Sequence, residues 1–232
     1  MSKYDELRLQ YDQIAQNKAK RLVLCICVDA SASMTLQQRM STVNREIGTF
    51  LQNMYNNATA RDAVEVCIIA FGDQIKVMCD FGSLTEAIRA NRDIKATGAR
   101  TELGAGVLKA LDRLDNRLQL LTDLGAPFYK PWLILISDGE ATDAARCKEA
   151  AKKVRERLSR QQLKVKCLSL GDEGNAGAQR TLREFTLDGE VDRVNSLEMT
   201  EFFEMLSRSV SRASQQSIQT GEFELDNNYR HN

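Results

Sequence analysis

Two apolar segments of strand length in this chain each lead into an aspartate. The first is Leu22–Val28, which is followed by Asp29. The second is Trp132–Ile136, which is followed by Ser137 and Asp138. Uninterrupted apolar residues indicate strands that are buried on both faces, as in a parallel sheet. Because such strands alternate with amphipathic helical patterns along most of the chain, with no linker-like stretch, the sequence predicts one α/β domain.

The predicted fold is a doubly wound, mostly parallel six-stranded sheet with one antiparallel edge strand and helices on both faces. The turn signal Gly72-Asp73 favours a hairpin, which makes the strand after it antiparallel. The predicted strands are 22–28, 64–71, 75–79, 131–139, 165–170 and 191–194. The predicted helices are 2–19, one opened by a capping box at Thr35–Gln38, 85–90, 103–121, 147–158, 182–185 and 199–210. We expect an N-terminal helical extension over 1–20, the domain over 21–213 and a flexible polar tail over 214–232.

Charge balance and cysteine usage narrow the possible partners and the compartment. Lys and Arg total 32 and Asp and Glu total 32, which gives no support to nucleic acid or an anionic membrane as the partner. We see neither a transmembrane-length apolar run nor a signal peptide, so the expected location is the cytoplasm. The six cysteines lack a Cys-x-x-Cys pair, and small buried thiols are the favoured interpretation.

A single histidine, His231, removes several catalytic classes at once. It is the penultimate residue of a polar tail, so a Ser-His-Asp or Cys-His unit has no internal general base. A histidine-ligated metal site is excluded by the same count. The chain also lacks Gly-x-Ser-x-Gly and the phosphate-binding Gly-x(4)-Gly-Lys-[Ser/Thr] motif.

Five oxygen-bearing side chains form a candidate metal site, and the predicted topology gathers them at one edge of the sheet. Asp29, Ser31 and Ser33 follow the first strand, Thr101 precedes a helix, and Asp138 follows the fourth strand. Ligands in such sheets bind outside the carboxyl ends of the strands, where the winding direction reverses. Carboxylate and hydroxyl oxygens are the ligands that Mg²⁺ prefers. The competing interpretation is that Asp138 and Thr101 are helix N-caps and that the serines only shape a turn.

With these residues in place, the chain resembles a von Willebrand factor type A domain over approximately residues 20–213. The family's metal-ion-dependent adhesion site has the form Asp-x-Ser-x-Ser…Thr…Asp. The resemblance implies that Ser31 and Ser33 bind Mg²⁺ directly and that Thr101 binds directly or through water. Asp29 and Asp138 would ligate the ion or hold its waters, and an open position would accept an Asp or Glu carboxylate from a protein partner. Mn²⁺ and Ca²⁺ accept similar oxygens.

The chain departs from the family pattern at two places beside this motif. Ala32 stands where the family usually has glycine, and Ala99-Arg100 stands where it often has Gly-Gly. A glycine that requires positive φ would make the loop different here. Arg100 also brings a charge to the rim, which either repels the ion or attracts an acidic partner.

The segment Lys130-Pro131-Trp132, followed by Leu-Ile-Leu-Ile-Ser-Asp-Gly-Glu-Ala-Thr-Asp, is similar to the sequence found in the compact bacterial branch of the family. This branch includes the TerY-like proteins of tellurite-resistance gene clusters. The resemblance implies an intracellular scaffold role, with a kinase or phosphatase among the expected partners.

Three functional hypotheses follow from these observations. The leading one is a metal-dependent protein-binding module rather than an enzyme. The alternative is metal-assisted hydrolysis or phosphoryl transfer with Asp29 as nucleophile. Phospho-aspartyl enzymes need a second acid or a lysine close by, and Asp-x-Ser-x-Ser lacks the second carboxylate. The third is a structural domain with an empty site.

Overall fold

A computed structural model describes residues 11–12, 14–90, 93–170 and 176–215 of the chain. The strands are β1 Leu22–Asp29, β2 Val64–Phe71, β3 Ile75–Cys79, β4 Trp132–Ser137, β5 Lys164–Leu170 and β6 Asp192–Val194. The helices are α1 Arg39–Asn56, α2 Ala58–Ala63, α3 Leu84–Ala90, α4 Leu103–Asp123, α5 Ala144–Ser159, α6 Ala176–Arg183 and α7 Ser196–Gln215, with a 3₁₀ segment over Ala32–Gln38. Most of the predicted extension at 1–20 and of the tail at 214–232 lies outside the described residues. Within the extension, residues 11, 12 and 14–16 are helical.

The sheet has the predicted architecture. Its strand order is β3-β2-β1-β4-β5-β6. Among the strands in the described part of the chain, only β2 and β3 pair antiparallel, and the other neighbours are parallel. The predicted fold class is therefore confirmed. The loop between β2 and β3 has three residues, 72–74, rather than the predicted two.

Two apolar cores cover the faces of the sheet, and β1 contributes alternate side chains to each. Leu24 and Ile26 point into one core, which α1, α2, α3 and α7 complete. Cys25 and Cys27 point into the other, which α4, α5 and α6 complete. Ile14 from the N-terminal segment also packs in this second core. Every residue of β1 is buried, which explains its uninterrupted apolar sequence.

All six cysteines are buried, and none is in a disulfide. Burial raises the pKa of the Cys79 and Cys147 thiols to about 12, so both stay protonated near neutral pH. This is the behaviour of small core residues rather than of reactive thiolates. No helix among the residues that the structure describes is long and apolar enough to cross a membrane.

The segment before α1 differs from the predicted capping box. The Thr35 hydroxyl donates to the Ala32 carbonyl at 2.7 Å instead of capping a helix. Gln37 and Gln38 then adopt left-handed backbone conformations, with φ of 50° and 59°, and α1 begins only at Arg39. The prediction was wrong because the motif is judged by sequence spacing, whereas capping requires extended backbone at the cap residue.

A buried ion cluster joins three parts of the chain at the opposite end of the sheet from β1's aspartate. Glu65 of β2 accepts two hydrogen bonds from Arg117 of α4, at 2.5 and 2.7 Å. Arg21 approaches the same carboxylate at 3.4 Å. Burial lowers the pKa of Arg21, against the opposing effect of Glu65. The three side chains are almost wholly buried, so removing the one carboxylate would leave two guanidinium groups uncompensated.

We expect Glu65→Gln to lower the free energy of unfolding by about 3 kcal/mol, because it strands buried positive charge. Urea denaturation followed by circular dichroism measures this. Glu149→Gln is the matched control, since Glu149 pairs with Lys153 on the exposed side of α5, and it should cost less than about 0.5 kcal/mol. If the two variants lower the free energy of unfolding equally, burial does not make the Glu65 ion pair more important for stability than the exposed pair.

Candidate metal centre

The parallel register of β1 and β4 brings Asp29 beside Ser137. Val28 pairs with Ile136, so the next residues of both strands are neighbours. The Ser137 hydroxyl donates to Asp29 Oδ2 at 2.5 Å, and the Ser31 backbone N–H donates to Asp29 Oδ1 at 2.9 Å. Burial raises the pKa of Asp29 to about 6, and these hydrogen bonds oppose the shift.

Three loops carry the predicted site residues: the first follows β1, the second precedes α4 and the third follows β4. A chain of hydrogen bonds links the other residues of the first and third loops. The hydroxyls of Ser31 and Ser33 are 2.9 Å apart. Ser33 donates to Asp138 Oδ1 at 2.7 Å, and Arg39 donates to Asp138 Oδ2 at 2.7 Å. Asp138 is 2% exposed. The two loops are therefore held in contact through a carboxylate that carries its own counter-cation.

Thr101 reaches the same place from the second loop. Its backbone exchanges two hydrogen bonds with Thr142, in which Thr101 N–H donates to the Thr142 hydroxyl and Thr142 N–H donates to the Thr101 carbonyl. A Cβ atom built on Gly139 would lie 3.3 Å from Thr101 Oγ1 and 3.8 Å from Asp29 Oδ2. Both oxygens thus border the space in front of Gly139, which directly follows Asp138 in the chain.

The structure therefore brings all five predicted site residues to one rim of the sheet, around the crevice between β1 and β4. Asp29, Ser31, Thr101 and Asp138 are buried, and Ser33 is half-buried. The donors are two carboxylates and three hydroxyls, which form the hard-oxygen set that suits Mg²⁺. Their role as metal ligands stays a prediction. Among the described residues, no cluster of three or more His, Cys, Asp or Glu side chains is arranged to hold a metal, and a site with only two carboxylates is not such a cluster.

The alternative capping roles of Asp138 and Thr101 are wrong. Helix α4 begins at Leu103 and α5 at Ala144, and their N-cap positions are Glu102 and Asp143. Asp143 does not cap its own helix. Its carboxylate instead accepts from the Gly104 and Ala105 N–H groups of α4, at 3.1 and 2.8 Å. This contact ties the third loop to the helix that follows the second.

The residues that replace family glycines fit the loops without backbone strain. Ala32, Ala99 and Arg100 all avoid positive φ, so no glycine is required at these positions. The left-handed conformation falls one residue earlier, at Gly98, where φ is 91° and a side chain would clash with the Asp73 carboxylate. The Arg100 side chain is 68% exposed and approaches Glu102 at 3.4 Å.

Sequence reasoning missed three residues that shape the site. Ser137 holds Asp29, Arg39 neutralises Asp138, and Asp143 connects two loops. Ser137 could have been found from the register that two adjacent parallel strands imply. The contacts of Arg39 and Asp143 join parts of the chain that no local pattern relates.

The family model of the von Willebrand factor type A domain matches residues 24–140, about half of the chain. The chain therefore belongs to the von Willebrand factor type A domain family. The matched segment contains all five residues of the candidate site. Domains of this family are often used for adhesion and protein interaction.

Solved structures share the fold at low sequence identity. The vWF domain of the type V pili tip protein Mfa5 from Porphyromonas gingivalis superposes with a TM-score of 0.67 at 11% identity, covering 89% of this chain and 99% of that one. The pilus adhesin SpaC from Lactobacillus rhamnosus GG gives 0.64 at 14%, covering 84% of this chain and 31% of that one. The mussel byssus protein PTMP1, described with a zinc-occupied MIDAS motif, gives 0.59 at 15%, covering 85% and 47%.

This chain thus spans less than half the length of SpaC or PTMP1 and nearly all of the Mfa5 domain. The comparison with curated protein sequences gave no match.

We expect Asp143→Ala to destabilise the domain by about 1–2 kcal/mol, because the first turn of α4 loses the acceptor for two N–H groups. Hydrogen exchange should accelerate at the Gly104 and Ala105 amides. Asp115→Ala, which removes an exposed partner of Arg157, is the control and should change stability by less than about 0.5 kcal/mol. Unchanged exchange at the two amides would contradict the capping role.

Proposed function

We propose that this domain is a Mg²⁺-dependent protein-binding module that captures a carboxylate of a partner protein at a metal-ion-dependent adhesion site. The observation that supports the proposal most strongly is the convergence of five oxygen-bearing side chains from three loops at the crevice between β1 and β4. Family membership supports the same assignment.

The residues present fit such an ion. Ser31 and Ser33 would supply hydroxyl ligands, and Thr101 would supply a third, directly or through water. Asp29 and Asp138 would ligate the ion or hold its waters. A hard divalent cation with an open position supplies electrostatic attraction for a carboxylate oxygen. The chain's own hydrogen bonds keep Asp29 and Asp138 in place, so little ordering of these side chains remains for the binding step.

Mg²⁺ is the proposed ion because every candidate donor is a hard oxygen, and Mn²⁺ and Ca²⁺ are the proposed substitutes. Zinc occupies the corresponding motif of PTMP1 as that protein is described. Zinc normally favours nitrogen and sulfur ligands, which the five residues here do not offer.

The proposed partner is a protein that donates an Asp or Glu side chain, with a kinase or phosphatase of a tellurite-resistance cluster as candidates. The TerY-like sequence resemblance around Lys130–Trp132 supports this choice, and a cytoplasmic location is proposed with it. The equal numbers of acidic and basic residues support a protein partner over nucleic acid or a membrane. The unpaired state of all six cysteines agrees with a reducing compartment.

We expect the double variant Ser31→Ala, Ser33→Ala to lose Mg²⁺ binding while the domain stays folded, because two predicted hydroxyl ligands disappear while the Ser31 backbone N–H still donates to Asp29. Isothermal titration calorimetry with MgCl₂ measures the binding, and circular dichroism checks the fold. Ser41→Ala is the control, since the exposed Ser41 hydroxyl only donates to the Gln38 carbonyl. If the double variant binds Mg²⁺ as tightly as the wild type, the assignment is wrong.

Partner capture is tested by a pull-down from the native cell with and without a chelator. A physiological partner should be retained by the wild type in Mg²⁺ and lost both with chelator and with the double variant. Substitution of single Asp and Glu residues in that partner by Asn and Gln should then identify one carboxylate whose loss abolishes binding. Retention of the partner by every carboxylate variant would contradict the proposed contact.

The enzyme alternative predicts metal-dependent turnover, whereas the proposed binding module predicts none. We expect no Mg²⁺- or Mn²⁺-dependent phosphatase or nucleotidase activity above that of an Asp29→Asn variant, because Asp29 is buried and hydrogen-bonded on both oxygens. A screen with phosphate esters and nucleotides measures this. Metal-dependent turnover that disappears in Asp29→Asn would favour the enzyme over the binding module.

A further inference from the structure

Arg39 is a half-buried cation in direct contact with one of the five candidate ligands. Its Nη1 lies 2.7 Å from Asp138 Oδ2, and the two side chains are 13% and 0% exposed. A charge-assisted hydrogen bond of this length is among the stronger polar contacts in proteins.

The backbone just before Arg39 adopts a conformation that is unfavourable for residues other than glycine. Gln37 and Gln38 are two successive non-glycine residues in left-handed conformations, immediately before Arg39. The Gln37 side chain then accepts a hydrogen bond from Arg39 Nη2 at 3.0 Å. Because strained backbone concentrates where the surrounding structure or function requires it, the turn points to Arg39 as a residue of the site rather than of the surface.

We propose that Arg39 is an internal counter-cation that competes with the divalent ion for Asp138 and thereby lowers the affinity of the site for metal. The inference rests on the proposed function and adds to it the residue that sets the affinity.

The geometry supports competition because both oxygens of Asp138 already accept a hydrogen bond. The guanidinium occupies one oxygen of Asp138, while Ser33, itself a predicted ligand, occupies the other. Any ion that binds Asp138 must therefore displace one of these contacts or share the carboxylate, whose side chain is fully buried, with a positive charge. Two cations that share one buried carboxylate repel each other more strongly than they would in water.

The two carboxylates of the site differ in whether a cationic side chain contacts them. Among the described residues, no lysine or arginine forms an ion pair with Asp29, whose donors are the Ser137 hydroxyl and the Ser31 N–H. The competition therefore acts at the Asp138 side of the site. Arg100, which directly precedes Thr101 in the chain, carries the same charge but is mostly exposed and approaches Glu102 instead.

The test compares Mg²⁺ and Mn²⁺ titrations of the wild type with those of Arg39→Ala and Arg39→Gln. We expect both variants to bind each ion about tenfold more tightly, because they remove the competing charge. Arg39→Gln keeps a hydrogen-bond donor for Asp138 and serves if the alanine variant unfolds. Arg100→Ala is the matched control, and its affinity should stay within about twofold of the wild type, since an exposed charge is screened.

The outcomes separate this inference from the proposed function. If the wild type binds metal and both Arg39 variants bind it no more tightly, or more weakly, the competition is refuted and the metal-binding module stands. If Arg100→Ala tightens binding as much as the Arg39 variants, a general charge effect replaces the specific contact, and the inference is again refuted. If neither the wild type nor any of the variants binds either ion, both the metal site and the competition are wrong.

Discussion

The pairing of β1 with β4 is the constraint on which the rest of this site depends. These two strands are neighbours in the sheet but far apart in the chain, and their helices leave on opposite faces. The crevice between their carboxyl ends is the position where open α/β sheets bind ligands. Because the strands are parallel and in register, Asp29 meets Ser137, and Asp138 follows at the same edge. A one-residue slip of either strand would separate these groups and turn buried side chains to the other face.

Within this frame the protein stabilises its two buried carboxylates in different ways. Asp29 accepts hydrogen bonds from neutral donors, and its pKa is raised to about 6 by burial. Asp138 carries an arginine at 2.7 Å. A buried charge needs a counter-charge or hydrogen-bond donors. Asp138 has the arginine together with the Ser33 hydroxyl, whereas Asp29 has neutral donors. In the proposed account, a divalent ion joins a site that is already organised by these contacts, and Arg39 sets how readily it does so.

Much of the architecture could be predicted from the sequence because it depends on local periodicity. The uninterrupted apolar residues of β1 and the spacing of apolar residues in α4 each specify one element, and the alternation of elements specifies the sheet. The rule that the carboxyl ends of parallel strands meet at one edge was sufficient to group Asp29 with Asp138, and Thr101 was expected there because its loop precedes a helix. The segment at Thr35–Gln38 could not be predicted, because its spacing matches a helix start while its backbone turns left-handed. Cross-loop contacts such as that of Asp143 depend on tertiary distances that no local pattern contains.

The most direct measurement is a crystal structure of the protein grown in Mn²⁺, with the ion located by its anomalous scattering. The account predicts one peak bounded by the hydroxyls of Ser31 and Ser33, at roughly 2.2 Å from each, with a coordination position open to solvent. It also predicts that the contact between Arg39 and Asp138 lengthens relative to the metal-free protein. A saturated crystal with no ion at this rim, or with the serine hydroxyls turned away from one another, would contradict the account.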